Sequence, residues 1–120
     1  RDGVCLITDA TGGAGLKAGT QFEIAGIKAR VTAEAALTAD GSALAGSTLT
    51  MIEAVRRAVQ LGGASIVDAV RMASLNPARQ LRRERELGSI ENGKRADLVW
   101  FDEQFRVRGV WLDGDVRFLA

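Results

Sequence analysis

The apolar run VCLI at residues 4–7 constrains the fold of this chain more than any other segment. A short, continuous apolar run that ends at a turn signal is typical of a strand buried on both faces, as in a parallel sheet. Such a strand needs neighbouring strands that the rest of the chain does not supply. The sequence also begins with Arg1 rather than Met. We therefore expect the chain to be a piece of a longer α/β protein.

The next segment predicts antiparallel β structure. Residues 21–24 and 27–31 alternate loosely between apolar and polar side chains on either side of a turn signal at residues 25–26. This pattern predicts a hairpin that continues toward residues 36–37. Asp-Gly at residues 40–41 marks a further turn.

Three helices are predicted in the middle of the chain. In the first, apolar residues recur at helical spacing, a hydroxyl residue at 47–48 can cap the start, and two glycines at 62–63 end it. Ser65 begins a second helix with the pattern of a capping box. Asn76 is followed by proline, which predicts an N-cap and a third short helix over residues 78–81.

The pattern returns to β structure near the end of the chain. Residues 97–101, 105–112 and 116–119 read as strands separated by turn residues. The large aromatic residues of this part are expected to form the core of a terminal β-sandwich; they are Trp100, Phe101, Phe105 and Trp111.

The composition excludes several classes of function. The chain is 47% hydrophobic and 26% charged with a net charge of +1, so it has no strong field to hold nucleic acid or a membrane surface. The single cysteine, Cys5, cannot form an internal disulfide and favours a reducing, cytoplasmic location. The chain contains no histidine, so a typical zinc site with histidine ligands cannot form from this chain alone.

Asp9 is the first candidate for chemistry. It follows the predicted strand at residues 4–7, and barrel enzymes keep their catalytic groups at the carboxyl ends of strands. A carboxylate there can take a proton from a metal-bound water and return it to a leaving amine. The alternative is that Asp9 only accepts hydrogen bonds from loop amides, as aspartate commonly does after a strand, and spacing alone favours this alternative.

Three other segments carry weaker signals. The glycine-rich loop at residues 12–15 lacks the lysine and the following helix of a phosphate-binding loop, which favours an ordinary turn. Leu44, Ala45, Gly46 and Ser47 open a predicted helix, whose free N–H groups can receive an anion or a substrate oxygen or simply be capped. A basic cluster interrupted by two glutamates indicates a solvated face; its members are Arg79, Arg82, Arg83 and Arg85.

Several segments together resemble the C-terminal signature of the amidohydrolase superfamily. They are VRMASLNPAR at 70–79, LGSI at 87–90, GK at 93–94 and ADLV at 96–99. The resemblance implies an α/β fold, namely the C-terminal end of a (β/α)8 metal-dependent hydrolase barrel plus part of a small β-sandwich domain. Residues 1–85 would contain the last barrel strand, the hairpin segment and the helices, and residues 86–120 the sandwich strands.

The first half of the chain is similar to the N-acetylglucosamine-6-phosphate deacetylase family, a likeness that runs over nearly the whole chain. It is carried by TDA at 8–10, AG at 14–15, LAGS at 44–47 and LTM at 49–51. The resemblance implies that Asp9 is catalytic, first as a general base and then as a general acid. It also implies that Leu44, Ala45 and Gly46 border the substrate through their backbone.

The resemblance implies that the intact protein hydrolyses N-acetyl-D-glucosamine 6-phosphate to glucosamine 6-phosphate and acetate in amino-sugar catabolism. A divalent metal, zinc or iron, is implied in the intact enzyme. The family's metal ligands and phosphate-binding arginine lie upstream of this chain, so the chain alone is expected to be inactive. The implied partners are the sugar phosphate, the remainder of the barrel and a second copy in a homodimer, with no nucleic acid or membrane.

Two alternatives stay open at this point. The superfamily signature is also carried by amidohydrolases of another substrate class, such as dihydroorotases and deaminases. A non-catalytic C-terminal β-sandwich or dimerisation module would instead have to fold as a compact unit on its own, and the lone apolar strand at residues 4–7 argues against it.

Overall fold

The computed structural model describes residues 2–120, which divide into two compact units. The first unit is Ile7–Ala54, and the second joins the residues before Ile7 to Val55–Ala120. The mixed α/β fold class is confirmed by four strands, three helices and three further strands in that order along the described chain. The expected boundary between residues 85 and 86 stays a prediction.

An antiparallel sheet forms most of the first unit. Its four strands pair in the order β1-β2-β3-β4 and span Gln21–Ile24, Ile27–Val31, Ala36–Thr38 and Leu44–Gly46. The predicted hairpin is confirmed, because β1 and β2 are joined by two residues that both have positive φ, 49° at Ala25 and 80° at Gly26. This is the turn geometry that matches the twist of paired strands.

The three predicted helices are present at Met51–Gln60 (α1), Ile66–Ala73 (α2) and Leu75–Gln80 (α3). Two of the predicted helix boundaries, the start of α2 and the end of α1, are confirmed. Ser65 caps α2 by accepting a hydrogen bond from the amide of Asp68 at 3.1 Å. After α1 the chain reverses at Gly62 and Gly63, the latter with a φ of 61°, as expected for a glycine helix stop.

The expected start of α1 at residues 47–48 is wrong. The helix begins at Met51, and its first helical hydrogen bond runs from the amide of Ala54 to the carbonyl of Thr50 at 2.9 Å. The hydroxyl of Ser47 accepts a local bond from the amide of Leu49 instead. A serine favours a helix N-cap and a short loop turn by the same chemistry, so the sequence pattern did not separate them.

Asn76 does not cap α3, contrary to the prediction. The helix begins one residue earlier, at Leu75, and Asn76 is buried inside it. Its side-chain amide donates a hydrogen bond to the carbonyl of Val4 at 2.7 Å. The local pattern assigned this side chain to the helix start, but it instead bonds a residue far away in the sequence.

The strand predicted at residues 4–7 stays a prediction, because its neighbouring strands were expected to lie outside this chain. This segment belongs to no sheet among residues 2–120, and the side chains of Val4 and Ile7 are 46% and 73% exposed. One of its amides, that of Leu6, donates to the carbonyl of Met72 at 2.8 Å. A strand exists only through a ladder with neighbours, and no such neighbour is found in this part of the chain.

The second unit contains a small apolar core and an antiparallel sheet. The core consists of Val55, Ala64 and Ala69, and half-buried apolar residues, Phe105 among them, pack against it. The sheet pairs its strands in the order β5-β6-β7, which span Leu98–Phe101, Val107–Leu112 and Asp115–Leu119. The predicted terminal strands are therefore confirmed, whereas the β-sandwich stays a prediction.

Trp100 is 59% exposed within the described chain, so the expected aromatic core of a β-sandwich stays a prediction. Phe101 and Phe105 are half-buried and stack with ring centroids 5.8 Å apart. The indole of Trp111 covers Gly109, where an added Cβ would lie 2.5 Å from the ring. The described residues bury too little of this sheet to form the predicted core.

Candidate functional site

Asp9 has an exposed side chain. Its φ is 47°, in the left-handed region, which aspartate enters more readily than most residues other than glycine. Among residues 2–120 its carboxylate makes no hydrogen bond or ion pair. The alternative interpretation, in which Asp9 binds the amides of its own loop, finds no support in these contacts.

Asp40 shows what such a loop-binding aspartate looks like in the same unit. Its carboxylate accepts hydrogen bonds from the hydroxyl of Thr38 at 2.5 Å and from the amide of Ser42 at 3.1 Å. The hydroxyl of Thr38, followed by the amide and hydroxyl of Ser42, lowers the pKa of Asp40 from 3.8 to about 2. The carboxylate of Asp40 is bound within a turn, whereas that of Asp9 has no such partner among residues 2–120.

The two segments that carry the deacetylase resemblance lie side by side. Ala10 and Ser47 form a parallel bridge, and the amide of Thr11 donates to the carbonyl of Ser47 at 2.9 Å. The hydroxyl of Thr11 donates to the same carbonyl at 3.1 Å. Ala10 and Ser47 pair in parallel, so the residues directly before them, Asp9 and Gly46, also lie beside each other. The candidate acid is therefore next to the candidate substrate segment.

Leu44, Ala45 and Gly46 form a strand rather than the predicted helix start. They are β4, which pairs with β3 so that Leu37 opposes Leu44 and Ala36 opposes Gly46. Ala45 is the extra residue of a β-bulge, a feature that is over-represented next to active sites. Helical N–H groups are therefore absent here, and Leu44 presents a side chain that is 70% exposed.

Gly46 is required by its surroundings. Its φ is 146°, and a Cβ added there would lie 2.3 Å from Cγ2 of Thr11. The close approach of the two segments at the Ala10–Ser47 bridge thus depends on a residue without a side chain.

The glycine-rich loop at residues 12–15 is an ordinary turn, as predicted. The amide of Ala14 donates to the carbonyl of Thr11 at 3.0 Å, and the amide of Leu16 to that of Gly13 at 3.2 Å. Gly13 is buried, and a Cβ there would lie 2.7 Å from the ring of Phe22. The loop packs against the sheet through the ring of Phe22.

The implied metal does not fit the residues present. Within the described range 2–120, no group of three or more histidine, cysteine, aspartate or glutamate residues is placed to hold a metal ion. The chain also lacks histidine altogether. Asp9 alone offers a carboxylate near the candidate site, and one carboxylate is not a closed ligand set.

An open apolar cavity of about 380 Å³ lies in the second unit and includes none of the candidate residues. Its lining side chains are apolar, so it lacks the convergent polar groups of a catalytic pocket. The lining residues are Val4, Leu6, Ala58, Gly62, Ala64 and Met72.

The basic cluster is a solvated face, as predicted, because all four of its arginines are exposed. Arg83 forms an ion pair with Glu86 at 2.5 Å, and its guanidinium lowers the pKa of Glu86. No helix among residues 2–120 combines the length and apolar content needed to cross a bilayer.

Sequence reasoning missed the contact between Thr11 and Ser47. The two residues are 36 positions apart, and neither is unusual for its local pattern. Gly46 offered a weak signal, because a glycine inside a strand often marks a close approach of another backbone.

Comparison with known proteins places the chain among amidohydrolases. The family model described as Amidohydrolase family matches residues 18–117. The chain is 39% identical over 116 residues to the N-acetylgalactosamine-6-phosphate deacetylase of Escherichia coli O157:H7, covering 97% of this chain and 30% of that protein.

Two solved structures are also similar. One is the N-acetylglucosamine-6-phosphate deacetylase of Pasteurella multocida, with 35% identity, a TM-score of 0.86, and coverage of 97% of this chain and 30% of that one. The other is the Mycobacterium smegmatis enzyme, an aspartate-to-alanine mutant in complex with N-acetyl-D-glucosamine-6-phosphate. It has 35% identity and a TM-score of 0.78, and covers 93% of this chain and 30% of that one. The chain spans about 30% of the length of these three proteins.

Proposed function

This chain belongs to the amidohydrolase family, and from that premise we propose that the intact protein hydrolyses the acetamide of N-acetyl-D-glucosamine 6-phosphate. The products are glucosamine 6-phosphate and acetate. The Pasteurella multocida and Mycobacterium smegmatis relatives are N-acetylglucosamine-6-phosphate deacetylases, and the latter is solved with N-acetyl-D-glucosamine-6-phosphate bound. Similarity over more than nine-tenths of this chain supports the same reaction here.

Asp9 is the proposed general base and general acid. The carboxylate takes a proton from the attacking water while a C–O bond forms at the acetamide carbonyl carbon. When the C–N bond breaks, the same proton passes from Asp9 to the leaving nitrogen, which gives the amine and acetate. The observation that carries this role is a carboxylate that is exposed, free of partners among residues 2–120, and adjacent to the Leu44–Gly46 segment.

Leu44, Ala45 and Gly46 are proposed to border the substrate beside Asp9. The bulge at Ala45 breaks the regular ladder with β3, so the backbone of this segment is not fully engaged in the sheet. The exposed side chain of Leu44 offers an apolar surface to a sugar ring or an acetyl methyl group. Both features fit a segment that contacts a ligand through backbone and surface rather than through charge.

A divalent metal, zinc or iron, is proposed for the intact protein, where residues outside this chain would hold it. When bound, such an ion would supply positive charge at the reacting carbonyl. The described residues contribute no ligand set of their own. The proposed chemical role of this chain is therefore the pair of proton transfers at Asp9.

The remainder of a (β/α)8 barrel is proposed as the structural partner of residues 4–7. This apolar segment is partly exposed and belongs to no sheet in the described chain, as expected for a strand whose neighbours lie elsewhere in the intact protein. A homodimer is also proposed, and it rests on the family resemblance alone. Light scattering of the intact protein at several concentrations would test it.

The test of the proposed function is the intact, metal-loaded protein with Asp9→Asn. Asparagine keeps the shape of the side chain but cannot carry the proton, so kcat for release of acetate should fall about 10²–10⁴-fold with little change in stability. Asp40→Asn is the matched control, because it alters another exposed aspartate of the same unit that is bound into a turn. Near-normal turnover by Asp9→Asn, or an equal loss in both variants, would remove Asp9 from the mechanism.

The galactosamine epimer is a second candidate substrate. The Escherichia coli O157:H7 relative, at 39% identity, is an N-acetylgalactosamine-6-phosphate deacetylase. Comparing kcat/KM of the wild-type protein for the two 6-phosphates would decide between them. Dihydroorotate and adenine, assayed in parallel, would test the other amidohydrolase classes.

A further inference from the structure

Thr11 connects the segment that carries Asp9 to the segment that precedes α1. Its amide and its hydroxyl both donate to the single carbonyl of Ser47, at 2.9 and 3.1 Å. One residue before, Ala10 forms the parallel bridge with the same Ser47. These contacts tie the chain two residues after Asp9 to the residue that directly follows Gly46.

A second contact holds the loop beyond Thr11. Gly13 is buried against the sheet, and a Cβ at this position would lie 2.7 and 2.9 Å from ring carbons of Phe22 and 3.1 Å from Cγ2 of Val31. The loop is thus fixed at Thr11 and again at Gly13. Asp9 lies just outside these two fixed points, and its direction follows from the backbone that they hold.

Asp9 receives no orientation from contacts of its own. Within residues 2–120 its carboxylate has no hydrogen-bond or ion-pair partner, and its backbone has a left-handed φ of 47°. A side chain without partners is aimed by its backbone. The restraints nearest to it along the chain are the bridge at Ala10 and the pair of hydrogen bonds from Thr11 to Ser47.

We infer that Thr11 is a positioning residue, which acts through Asp9 by holding it at a fixed distance from the Leu44–Gly46 segment. The inference rests on the proposed function of Asp9. A general base has to lie within about 2.6–3.2 Å of the proton that it takes, and a misplacement of about 1 Å can cost on the order of 10²-fold in rate. The hydroxyl of Thr11 contributes directionality that the backbone bond alone does not provide.

The experiment compares Thr11→Val and Thr11→Ser in the intact, metal-loaded protein. Valine keeps both branches of the side chain and removes the hydroxyl, whereas serine keeps the hydroxyl and removes the methyl group. We expect kcat for acetate release to fall about 10- to 100-fold in Thr11→Val, with KM changed by less than about twofold. Thr11→Ser should stay within about threefold of the wild type. Equal losses in both variants, or a loss confined to KM, would overturn the inference.

Thr32→Val is the matched control for the loss of a hydroxyl. The hydroxyl of Thr32 donates to the carbonyl of Ala35 at 2.8 Å in the same unit and also accepts from the amides of Glu34 and Ala35. The substitution therefore removes at least as many side-chain bonds without touching the Asp9 segment. It should lower stability as Thr11→Val does and leave kcat unchanged. A fall in kcat as large as that of Thr11→Val would assign the effect to general destabilisation and refute a positioning role.

The double variant Asp9→Asn with Thr11→Val tests whether Thr11 acts through Asp9. If it does, adding Thr11→Val to Asp9→Asn should change kcat by less than about twofold, because residues that act as a unit are strongly non-additive. Multiplying losses would show an independent role and overturn the inference.

A readout without turnover separates this inference from the proposed function. Hydrogen–deuterium exchange of the peptide that covers residues 8–12 should be faster in Thr11→Val than in the wild type and in Thr32→Val. If the wild-type protein hydrolyses neither sugar phosphate, the proposed function fails while the exchange result still reports on the restraint. Unchanged exchange in Thr11→Val would refute the restraint itself.

Discussion

Replacing Gly46 by alanine perturbs the closest approach in the candidate site. The residue has a φ of 146°, and the added Cβ would lie 2.3 Å from Cγ2 of Thr11. Two costs are therefore expected, one from the backbone conformation and one from the contact. The structure allows them to be measured separately, because the contact is made by a single methyl group.

The expected loss for Gly46→Ala is about 2–6 kcal/mol of unfolding free energy. A non-glycine residue in this region of φ costs about 1–3 kcal/mol, and an unrelieved overpacked contact costs a similar amount. Thr11 can turn its methyl group away only by moving the hydroxyl that binds Ser47, which forfeits a hydrogen bond worth about 0.5–1.5 kcal/mol. In a Thr11→Ser background the methyl group is gone, and Cβ and Oγ of that residue remain at 3.5 and 3.6 Å, which are ordinary contacts.

The assay is urea unfolding of the intact protein for the wild type, Gly46→Ala, Thr11→Ser and the double variant. The loss caused by Gly46→Ala should shrink by about 1–3 kcal/mol when Thr11→Ser is present. Gly41→Ala serves as a control, because Gly41 also has a positive φ of 75° but no neighbour within 4 Å of an added Cβ. An equal loss for Gly46→Ala in both backgrounds, or one no larger than that for Gly41→Ala, would show that the methyl group of Thr11 does not cause the loss.

The remaining predictions concern stability and its dependence on pH. Ser65→Ala removes the hydroxyl that accepts from the amide of Asp68, so it should lower the unfolding free energy by about 1 kcal/mol. Ser65→Asn can still cap the helix and should keep most of the wild-type stability. Desolvation raises the pKa of Asp102, but the amide and guanidinium of Arg106 and the guanidinium of Arg108 lower it further, to a net value of about 2 against the ordinary 3.8. A carboxyl whose folded pKa is depressed contributes stability above its unfolded pKa and loses it as pH falls through the folded pKa. The stability difference between the wild type and Asp102→Asn should therefore shrink between about pH 4 and about pH 2, and a constant difference in acid titrations of unfolding would contradict this.

The sequence determined the local elements of this protein. Alternation about Ala25 and Gly26 predicted the β1–β2 hairpin, because a two-residue turn has to adopt positive φ at both positions. The glycines at 62–63 and the capping pattern at Ser65 predicted where α1 ends and α2 begins. Each of these signals depends on residues within one turn of one another, so local chemistry was sufficient.

The sequence did not determine the structure of segments that depend on distant partners. Asn76 carries the pattern of an N-cap, but its amide is used by the carbonyl of Val4, 72 residues away. Leu44–Gly46 carries the pattern of a helix start, but its pairing with β3 makes it a bulged strand. In both cases the side chains could serve either structure, and packing against a remote segment decided which one forms.

The candidate site also depended partly on the sequence and partly on the tertiary structure. The sequence identified Asp9 as a possible acid and, through the family resemblance, the Leu44–Gly46 segment as its neighbour. Only the tertiary structure brought the two together, through a bridge between Ala10 and Ser47 and the bonds of Thr11 to one carbonyl. A contact between segments 36 residues apart leaves no periodic trace in either of them, because it satisfies backbone groups that every residue carries.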